Sequence, residues 1–299
     1  MLQVKGLCKS YRVGAGYAVE DIDMSIQRGT IHGLIGHNGS GKTTIIKCLS
    51  GIFFPDQGEV TMEGQPVYNN NQVKERIAYV ADTNQMFRSY RIKKLAKFYS
   101  QIFPGFSMED FARYAKLFQV NEEKKVSQMS KGEQMRASFV LNMARHPELL
   151  ILDEPTAGLD AMAKKELLDC LVNAVEQDDM TVLISSHQLS ELEKICDTIT
   201  MIRNGKMYIE DAVEEVTAQI VKYQIVFLEG APSELYARQD VCHMSNVGSV
   251  YQVVLQRRVE DFEEQMKALG ATLVEEMPVS LEESFIYMNK NQAGGVTVE

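Results

Sequence analysis

Gly36-His37-Asn38-Gly39-Ser40-Gly41-Lys42-Thr43 is the stretch that decides the fold. It fits the pattern G-x-x-x-x-G-K-[ST], it follows the strand-like run Ile31 to Ile35, and helix-like residues from Thr44 to Leu49 come after it. In that context the glycines let backbone N–H groups close around phosphates, and the helix directs the positive end of its dipole at them. The pattern predicts a nucleotide site in which Lys42 reaches the β- and γ-phosphates and the Thr43 hydroxyl ligates Mg²⁺.

A second element of the same site follows a buried-looking strand. Leu149 to Leu152 is an apolar run that ends in the adjacent carboxylates Asp153 and Glu154. Ligands of open α/β sheets bind beyond the carboxyl ends of the strands, and Mg²⁺ prefers oxygen ligands. We therefore expect Asp153 to be the Mg²⁺ carboxylate and Glu154 to orient and activate the attacking water.

The order of elements around these motifs predicts an α/β fold. Short β-like segments come first, a largely helical stretch runs from about residue 88 to 145, and strands then alternate with helices as in a parallel sheet. The formal charge of −10 (31 Lys+Arg against 41 Asp+Glu) argues against a protein that coats nucleic acid. DNA and RNA are not expected as partners.

The distribution of charge predicts a domain boundary. Residues 211–299 hold 6 Lys+Arg and 15 Asp+Glu, a net −9, which leaves −1 for residues 1–210. We expect a domain at 1–210, with a helical part at about 85–146, and a small acidic α+β domain at 211–299. The N-terminus has no secretory signal, no run approaches the roughly 18 apolar residues of a membrane span, and the five scattered cysteines predict neither zinc nor disulfides.

Further motifs stand in a fixed order along residues 1–210. Met129-Ser130-Lys131-Gly132-Glu133-Gln134 precedes the Asp-Glu strand, and Gly158-Leu159-Asp160 follows it. Ser186-His187 comes after the next strand, and Tyr11 lies some twenty-five residues before the phosphate loop. With these features the sequence resembles the ATP-binding cassette family, in which they correspond to the signature, the D-loop, the switch histidine and the aromatic residue that stacks on adenine.

The resemblance implies a P-loop NTPase with a RecA-like core, an antiparallel β subdomain and a helical subdomain. It also implies a head-to-tail dimer with a second copy or a similar chain, in which each phosphate loop and the partner's signature clamp one ATP. The nucleotide contacts implied are Tyr11, Gly36, Asn38, Gly39, Ser40, Gly41, Lys42, Thr43, Thr44, Ser130, Gly132 and Asp160. Metal ligation is implied for Thr43, Asp153 and Asp82, and catalysis for Lys42, Glu154 and His187.

Two departures from the family pattern concern contacts with nucleotide. Lys131 replaces a glycine of the signature and Glu133 replaces its glutamine, so contacts through these two positions are in doubt. Asp82 aligns with the usual glutamine of the Q-loop, where it could take a contact to a Mg²⁺-bound water, and Gln85 is the alternative.

The family resemblance implies an ATPase subunit, peripheral on the cytoplasmic face of a bacterial membrane and bound to a separate permease. Ser280 to Phe285 resembles the closing segment of exporters for drugs, antibiotics or peptides, and phenol-soluble-modulin-type peptides are the narrower expectation. Two alternatives stay open. One is a soluble cassette ATPase acting on ribosomes, DNA or iron–sulfur assembly, and the other is a P-loop kinase, which has no reason to carry the signature and His187.

Overall fold

The computed structural model describes residues 1–12, 16–83, 86–292 and 297–298. The chain divides into two compact units. Met1–Gln188 and Ile195–Glu210 form the first, and Leu189–Lys194 and Asp211–Glu299 form the second. The second unit thus consists of the residues from Asp211 onward together with the short segment Leu189–Lys194.

The described residues of the first unit form two sheets and six α-helices, with a short 3-10 helix at Val126–Gln128. Its strands are β1 (Leu2–Lys9), β2 (Val19–Ile26), β3 (Ile31–Ile35), β4 (Gln57–Met62), β5 (Gln65–Pro66), β6 (Ile77–Val80), β7 (Leu149–Asp153), β8 (Thr181–Ser186), β9 (Thr198–Arg203) and β10 (Lys206–Ala212). Its helices are α1 (Lys42–Leu49), α2 (Asn71–Glu75), α3 (Ile92–Ile102), α4 (Met108–Leu117), α5 (Lys131–Met143) and α6 (Ala161–Asp178).

The central sheet has the strand order β10-β9-β3-β8-β7-β6. The neighbouring pairs β6–β7, β7–β8, β8–β3 and β3–β9 are all parallel. Every residue of β3, β7 and β8 is buried. Strands buried on both faces are expected to be apolar along their whole length, which explains the runs seen in the sequence. Because the strands are parallel, the loops after β3, β6, β7 and β8 meet at one edge of the sheet.

A second, antiparallel sheet has the order β2-β1-β4-β5. Buried and exposed residues alternate along β2, as expected of a sheet with one solvated face. Its buried side shares a core with α1 and with the central sheet, through residues such as Leu34, Ile45 and Ile46. This packing fixes the start of α1 relative to β3.

Helices α3, α4 and α5 pack against one another to form the helical part of the first unit. Phe118 and Phe139 are both fully buried, and their rings meet edge to face at 5.0 Å. Pro104 and Gly105 separate α3 from α4, as the sequence indicates.

The second unit is a five-stranded sheet covered by short helices, with strand order β14-β11-β13-β12-β15. Its elements are α7 (Leu189–Leu192), α8 (Val213–Ala218), β11 (Val221–Val226), α9 (Ser233–Tyr236), β12 (Val241–Val247), β13 (Val250–Leu255), α10 (Phe262–Ala268), β14 (Leu273–Met277), α11 (Leu281–Gln292) and β15 (Thr297–Val298). Phe262 and Met266 of α10 are buried against the sheet. Across the parts of the chain that the structure describes, no helix is long and apolar enough to cross a membrane.

Candidate nucleotide site

The phosphate loop joins the end of β3 to the start of α1 at the carboxyl edge of the central sheet. Gly41 is the N-cap of α1, and no side chain caps this helix. The first N–H groups of a helix have no partner within the helix, so an uncapped start favours an anion. The geometry thus offers donors and a positive dipole end in front of the loop.

Two glycines of the loop pack closely against the rest of the protein, whereas a third has open space around it. A Cβ on Gly41, whose φ is +113°, would lie 2.4 Å from Val19 Cγ1, and one on Gly36 would lie 2.4 Å from Ser40 Oγ. By contrast, a Cβ on Gly39 would meet no heavy atom within 4 Å. Among the described residues Ser40 Oγ is buried without a hydrogen-bond partner, which fits a group that awaits a ligand.

Lys42 points back over the loop toward the end of β7. Its side chain is 5% exposed, and Nζ donates to the carbonyl of Gly36 at 2.6 Å. The same Nζ lies 3.0 Å from Glu154 Oε1. A buried ammonium group needs such partners, because burial without them is costly.

Glu154 lies between Lys42 and His187. Its Oε2 is 2.8 Å from His187 Nδ1, and its backbone N–H donates to Ser185 Oγ at 3.0 Å. Glu154 has a φ of 50°, in the left-handed region that L-residues rarely adopt. Strain of this kind is often found at functional sites, and the Glu154 carboxylate contacts Lys42 of the phosphate loop.

Asp153 is 1% exposed, and it accepts hydrogen bonds from Ser185 Oγ at 2.8 Å and from the Thr43 hydroxyl. Burial raises the pKa of the Asp153 carboxyl, and the negative charges of Glu154 and Asp82 raise it further. A divalent cation beside Asp153 would offset this unfavourable environment. The residues present therefore fit Mg²⁺ held by one carboxylate and one hydroxyl.

No group of three or more His, Cys, Asp and Glu side chains forms a metal site of its own in residues 1–12, 16–83 and 86–292. Mg²⁺ usually keeps several waters and takes further ligands from substrate phosphates, so it needs few ligands from the protein. Asp82, the third metal ligand expected from the sequence, is paired with Lys131, whose Nζ lies 2.6 Å from Asp82 Oδ1. The alternative residue, Gln85, lies outside the described residues.

The signature stretch begins α5. Ser130 is its N-cap and accepts from the backbone N–H of Glu133, while Glu133 Oε2 accepts from the N–H of Ser130. Glu133 also pairs with Lys124 at 2.7 Å. Glu133 therefore has a local role: it completes a capping box, which a glutamine could also form, and its negative charge adds the ion pair with Lys124.

Gly132 and the D-loop lie together. A Cβ on Gly132 would be 3.4 Å from the carbonyl oxygen of Gly158. Asp160 caps α6, because its carboxylate accepts from the N–H groups of Met162 and Ala163 at 3.0 Å. These hydrogen bonds lower the pKa of the Asp160 carboxyl. A direct contact between Asp160 and nucleotide stays a prediction.

Tyr11 is 61% exposed and stands beside the phosphate loop. Its hydroxyl is 2.8 Å from Thr44 Oγ1, and its ring meets Phe53 edge to face at 5.9 Å. Asn38 is exposed at the tip of the loop. The stacking of Tyr11 on a base stays a prediction, and its open ring face is available for it.

Sequence reasoning missed two residues of the site. Ser185 holds both Asp153 and the Glu154 backbone, and Tyr79 has its hydroxyl at Asp153. Burial raises the pKa of Tyr79, and the charge of Asp153 raises it further, so the phenol stays protonated. Ser185 is the second-last residue of the buried strand β8 and comes directly before Ser186-His187, and this position near the carboxyl edge was the available signal.

Comparisons with known proteins agree with this geometry. A family model described as ABC transporter matches residues 19–157. The ABC transporter ATP-binding protein YtrB of Bacillus subtilis is 29% identical over 286 residues, which cover 96% of this chain and 97% of YtrB. The SkfA peptide export ATP-binding protein SkfE of the same species is 34% identical over 212 residues, 69% of this chain and 87% of SkfE.

A solved structure shows the same fold. The dimeric post-hydrolysis state of the ATP-binding cassette MJ0796, bound to ADP and Pi, matches with a TM-score of 0.65 and 21% identity, over 71% of this chain and 99% of that one. The predicted P-loop NTPase fold is confirmed. The structure combines a phosphate loop, an Asp-Glu strand end and a signature helix, and the chain is 34% identical to SkfE over most of that protein. The chain therefore belongs to the ATP-binding cassette (ABC) family of transporter ATPases.

Proposed function

We propose that this chain is the ATPase subunit of a bacterial exporter for peptides, antibiotics or drugs, and that it works as a dimer bound to a separate membrane permease. As an ABC ATPase it binds and hydrolyses ATP to power transport. The observation that carries the proposal is the meeting of Lys42, Glu154 and His187 at the phosphate loop.

The roles we assign follow from these contacts. Lys42 binds the terminal phosphates, and Glu154 orients the attacking water and accepts its proton. We assign His187 to the γ-phosphate, and its Nδ1 lies 2.8 Å from Glu154 Oε2, so it stands beside both the terminal phosphate and the base. When Mg²⁺ is bound at Thr43 and Asp153, it neutralises charge on the phosphates.

Two copies of the chain would complete each site. We infer that Ser130 and Gly132 face the nucleotide of the partner cassette, since the start of α5 offers a hydroxyl and the positive end of a 13-residue helix. Ser130, Gly132 and Asp160 all have local roles in this chain, so the dimer would add contacts to groups that are already held in place.

A groove in the first unit supports a membrane partner. It has a volume of about 670 Å³, and Thr43, Asp82 and Asp153 are among the residues that line it. Aromatic residues of the helical part also line it, and Phe87 is 57% exposed. We assign this groove to a short cytoplasmic helix of the permease, because its occupant would touch both the helical part and the metal carboxylate. Such a contact couples nucleotide state to the membrane subunit.

Export of peptides is the narrower part of the proposal. It is supported by the 34% identity to SkfE, whose name describes peptide export, and by the resemblance of Ser280 to Phe285 to the ends of exporter cassettes. Amphipathic peptides are the substrates we would test first. We place the subunit peripherally on the cytoplasmic face of the membrane, attached through the permease.

The catalytic assignment is tested with Glu154→Gln. We expect this variant to bind ATP, to form a stable dimer with ATP and Mg²⁺, and to lose about 10²–10⁴-fold in turnover, since it keeps the shape of Glu154 and lacks its basicity. Glu59→Gln, an exposed position on β4, is the matched control. Unchanged turnover in Glu154→Gln would remove the assignment of the base.

The transport assignment needs a separate experiment. The tagged chain should be expressed with its genomic neighbours, extracted from membranes in mild detergent, and examined for proteins that co-purify in stoichiometric amount. A polytopic membrane protein supports the proposal, and Phe87→Asp should release it while leaving ATP binding unchanged. Recovery with ribosomes or another soluble assembly would instead favour the soluble class of cassette ATPase.

A further inference from the structure

Two positions at which this sequence departs from its family contact each other. Lys131 stands where the signature has a glycine, and Asp82 stands where the Q-loop has a glutamine. They are 49 positions apart in the chain, yet Lys131 Nζ is 2.6 Å from Asp82 Oδ1. The ion pair therefore links the signature helix to the loop that follows β6.

Lys131 is in an unfavourable place for a cation. It is the first residue of α5, where the helix dipole presents its positive end. Glu133 offsets part of that field, but its carboxylate is taken up by the capping box and by Lys124. Asp82 is thus the carboxylate that compensates the ammonium group of Lys131.

Asp82 also lies near the expected metal ligands. It lines the same groove as Thr43 and Asp153, and its negative charge raises the pKa of Asp153. A divalent cation held by Thr43 and Asp153 would attract the Asp82 carboxylate in competition with Lys131. The Asp82 carboxylate can therefore pair with either of two cations, Lys131 or the metal. Its ion pair with Lys131 is weak because both side chains are well exposed.

We propose that Asp82 exchanges Lys131 for the metal–nucleotide complex, so that the cationic side chain of the signature becomes free only when the chain's own site is loaded. This rests on the proposed function, because the released Lys131 then faces the nucleotide of the partner cassette. Lys131 and Asp82 are positioning residues in this scheme. When one chain binds metal and nucleotide at its own site, its free Lys131 can bind the nucleotide at the partner's site. Binding at one site therefore favours binding at the other.

The test converts the contact into a covalent bond. A water-soluble carbodiimide joins a carboxylate and an amine in contact as an amide, and the water lost is taken up by the reagent as a urea. The full chain carrying Glu154→Gln, which blocks hydrolysis, is treated without ligand, with Mg²⁺ alone and with Mg²⁺ and ATP. Mass spectrometry then measures the Asp82–Lys131 cross-link against two internal controls, Lys9–Asp56 at 2.6 Å and Lys124–Glu133 at 2.7 Å.

We expect the Asp82–Lys131 cross-link without ligand and with Mg²⁺ alone, and at least a fivefold loss with Mg²⁺ and ATP, while both controls stay within twofold. Asp82→Glu should retain this behaviour, and Asp82→Asn should lose only this cross-link. Three results overturn the proposal: no Asp82–Lys131 product beside normal controls, a product that persists with ATP bound, or an equal loss of Lys124–Glu133.

Binding of ATP is measured in parallel by equilibrium dialysis with labelled ATP. Absence of ATP binding would overturn the proposed function, and the exchange with it, although the ligand-free cross-link would still report the ion pair. Binding without loss of the cross-link would overturn the exchange alone. The two failures are therefore distinguishable.

Discussion

His32 lies on β3, directly below the phosphate loop, and is 1% exposed. Its Nδ1 is 2.7 Å from Thr198 Oγ1 and its Nε2 is 2.8 Å from Thr200 Oγ1, so both ring nitrogens have hydroxyl partners. Burial lowers the pKa of His32 from its ordinary 6.5 to about 4. The folded protein therefore keeps this imidazole neutral under conditions that protonate it in the unfolded chain.

The sign and size of the effect follow from proton linkage. Between pH 4 and 6.5 the unfolded state binds the proton at His32 and the folded state does not, so stability falls as the pH falls through this range. At about 1.4 kcal/mol per pH unit, the loss from this residue is about 2 kcal/mol at pH 5 and about 3 kcal/mol once the pH falls below 4. Above pH 7 His32 has no effect, because it is neutral in both states.

The measurement is amide hydrogen exchange of β3 at pH 7 and pH 5, corrected for intrinsic exchange rates, in the natural chain and in His32→Gln. A local probe is preferable because two units need not unfold together. A loss of about 2 kcal/mol corresponds to about a 30-fold larger opening constant at pH 5. The other histidines and the carboxylates are common to both proteins and cancel. Equal changes in the two proteins would show that the reasoning about His32 is wrong.

The remaining predictions concern the two units. Gly41→Ala combines a left-handed φ with a collision at Val19, so it should weaken ATP binding at least about tenfold by equilibrium dialysis. Tyr11→Ala should weaken ATP binding about two- to tenfold if its ring stacks on adenine, whereas Tyr11→Phe should stay within twofold. In the second unit, Lys222→Ala leaves Glu283 without its 2.7 Å partner and should cost about 1–2 kcal/mol by hydrogen exchange of β11, and an unchanged exchange rate would refute this.

Local motifs carried most of what the sequence could predict. The phosphate loop and the Asp153–Glu154 strand end need only short-range patterns, because a glycine-rich turn and a buried strand are each encoded within about eight residues. The capping box of Ser130 and Glu133 was also readable, since its S-x-x-E pattern is a helix start. We interpreted Glu133 only as a departure from the signature, and this interpretation overlooked its local role.

Contacts between distant segments of the chain could not be predicted from the sequence. Nothing in the sequence indicates that Asp82 and Lys131 meet, or that Ser185 supports Asp153, because those distances depend on how strands β6, β7 and β8 lie side by side. The β9–β10 hairpin was also not predicted, although its signal is local and present in the sequence. Its turn is Asn204-Gly205, both with φ near +50° to +75°, which is a strong short-range hairpin signal.

The position of Glu154 connects nucleotide binding to catalysis. Its Oε1 lies 3.0 Å from Lys42 Nζ and its Oε2 lies 2.8 Å from His187 Nδ1, so the carboxylate contacts both side chains. A triphosphate brings the negative charge that Lys42 and His187 can bind instead. We therefore expect bound ATP to compete with Glu154 for both partners. The carboxylate that loses them is the one we assign as the base, so it becomes available for the attacking water when the terminal phosphate is in place.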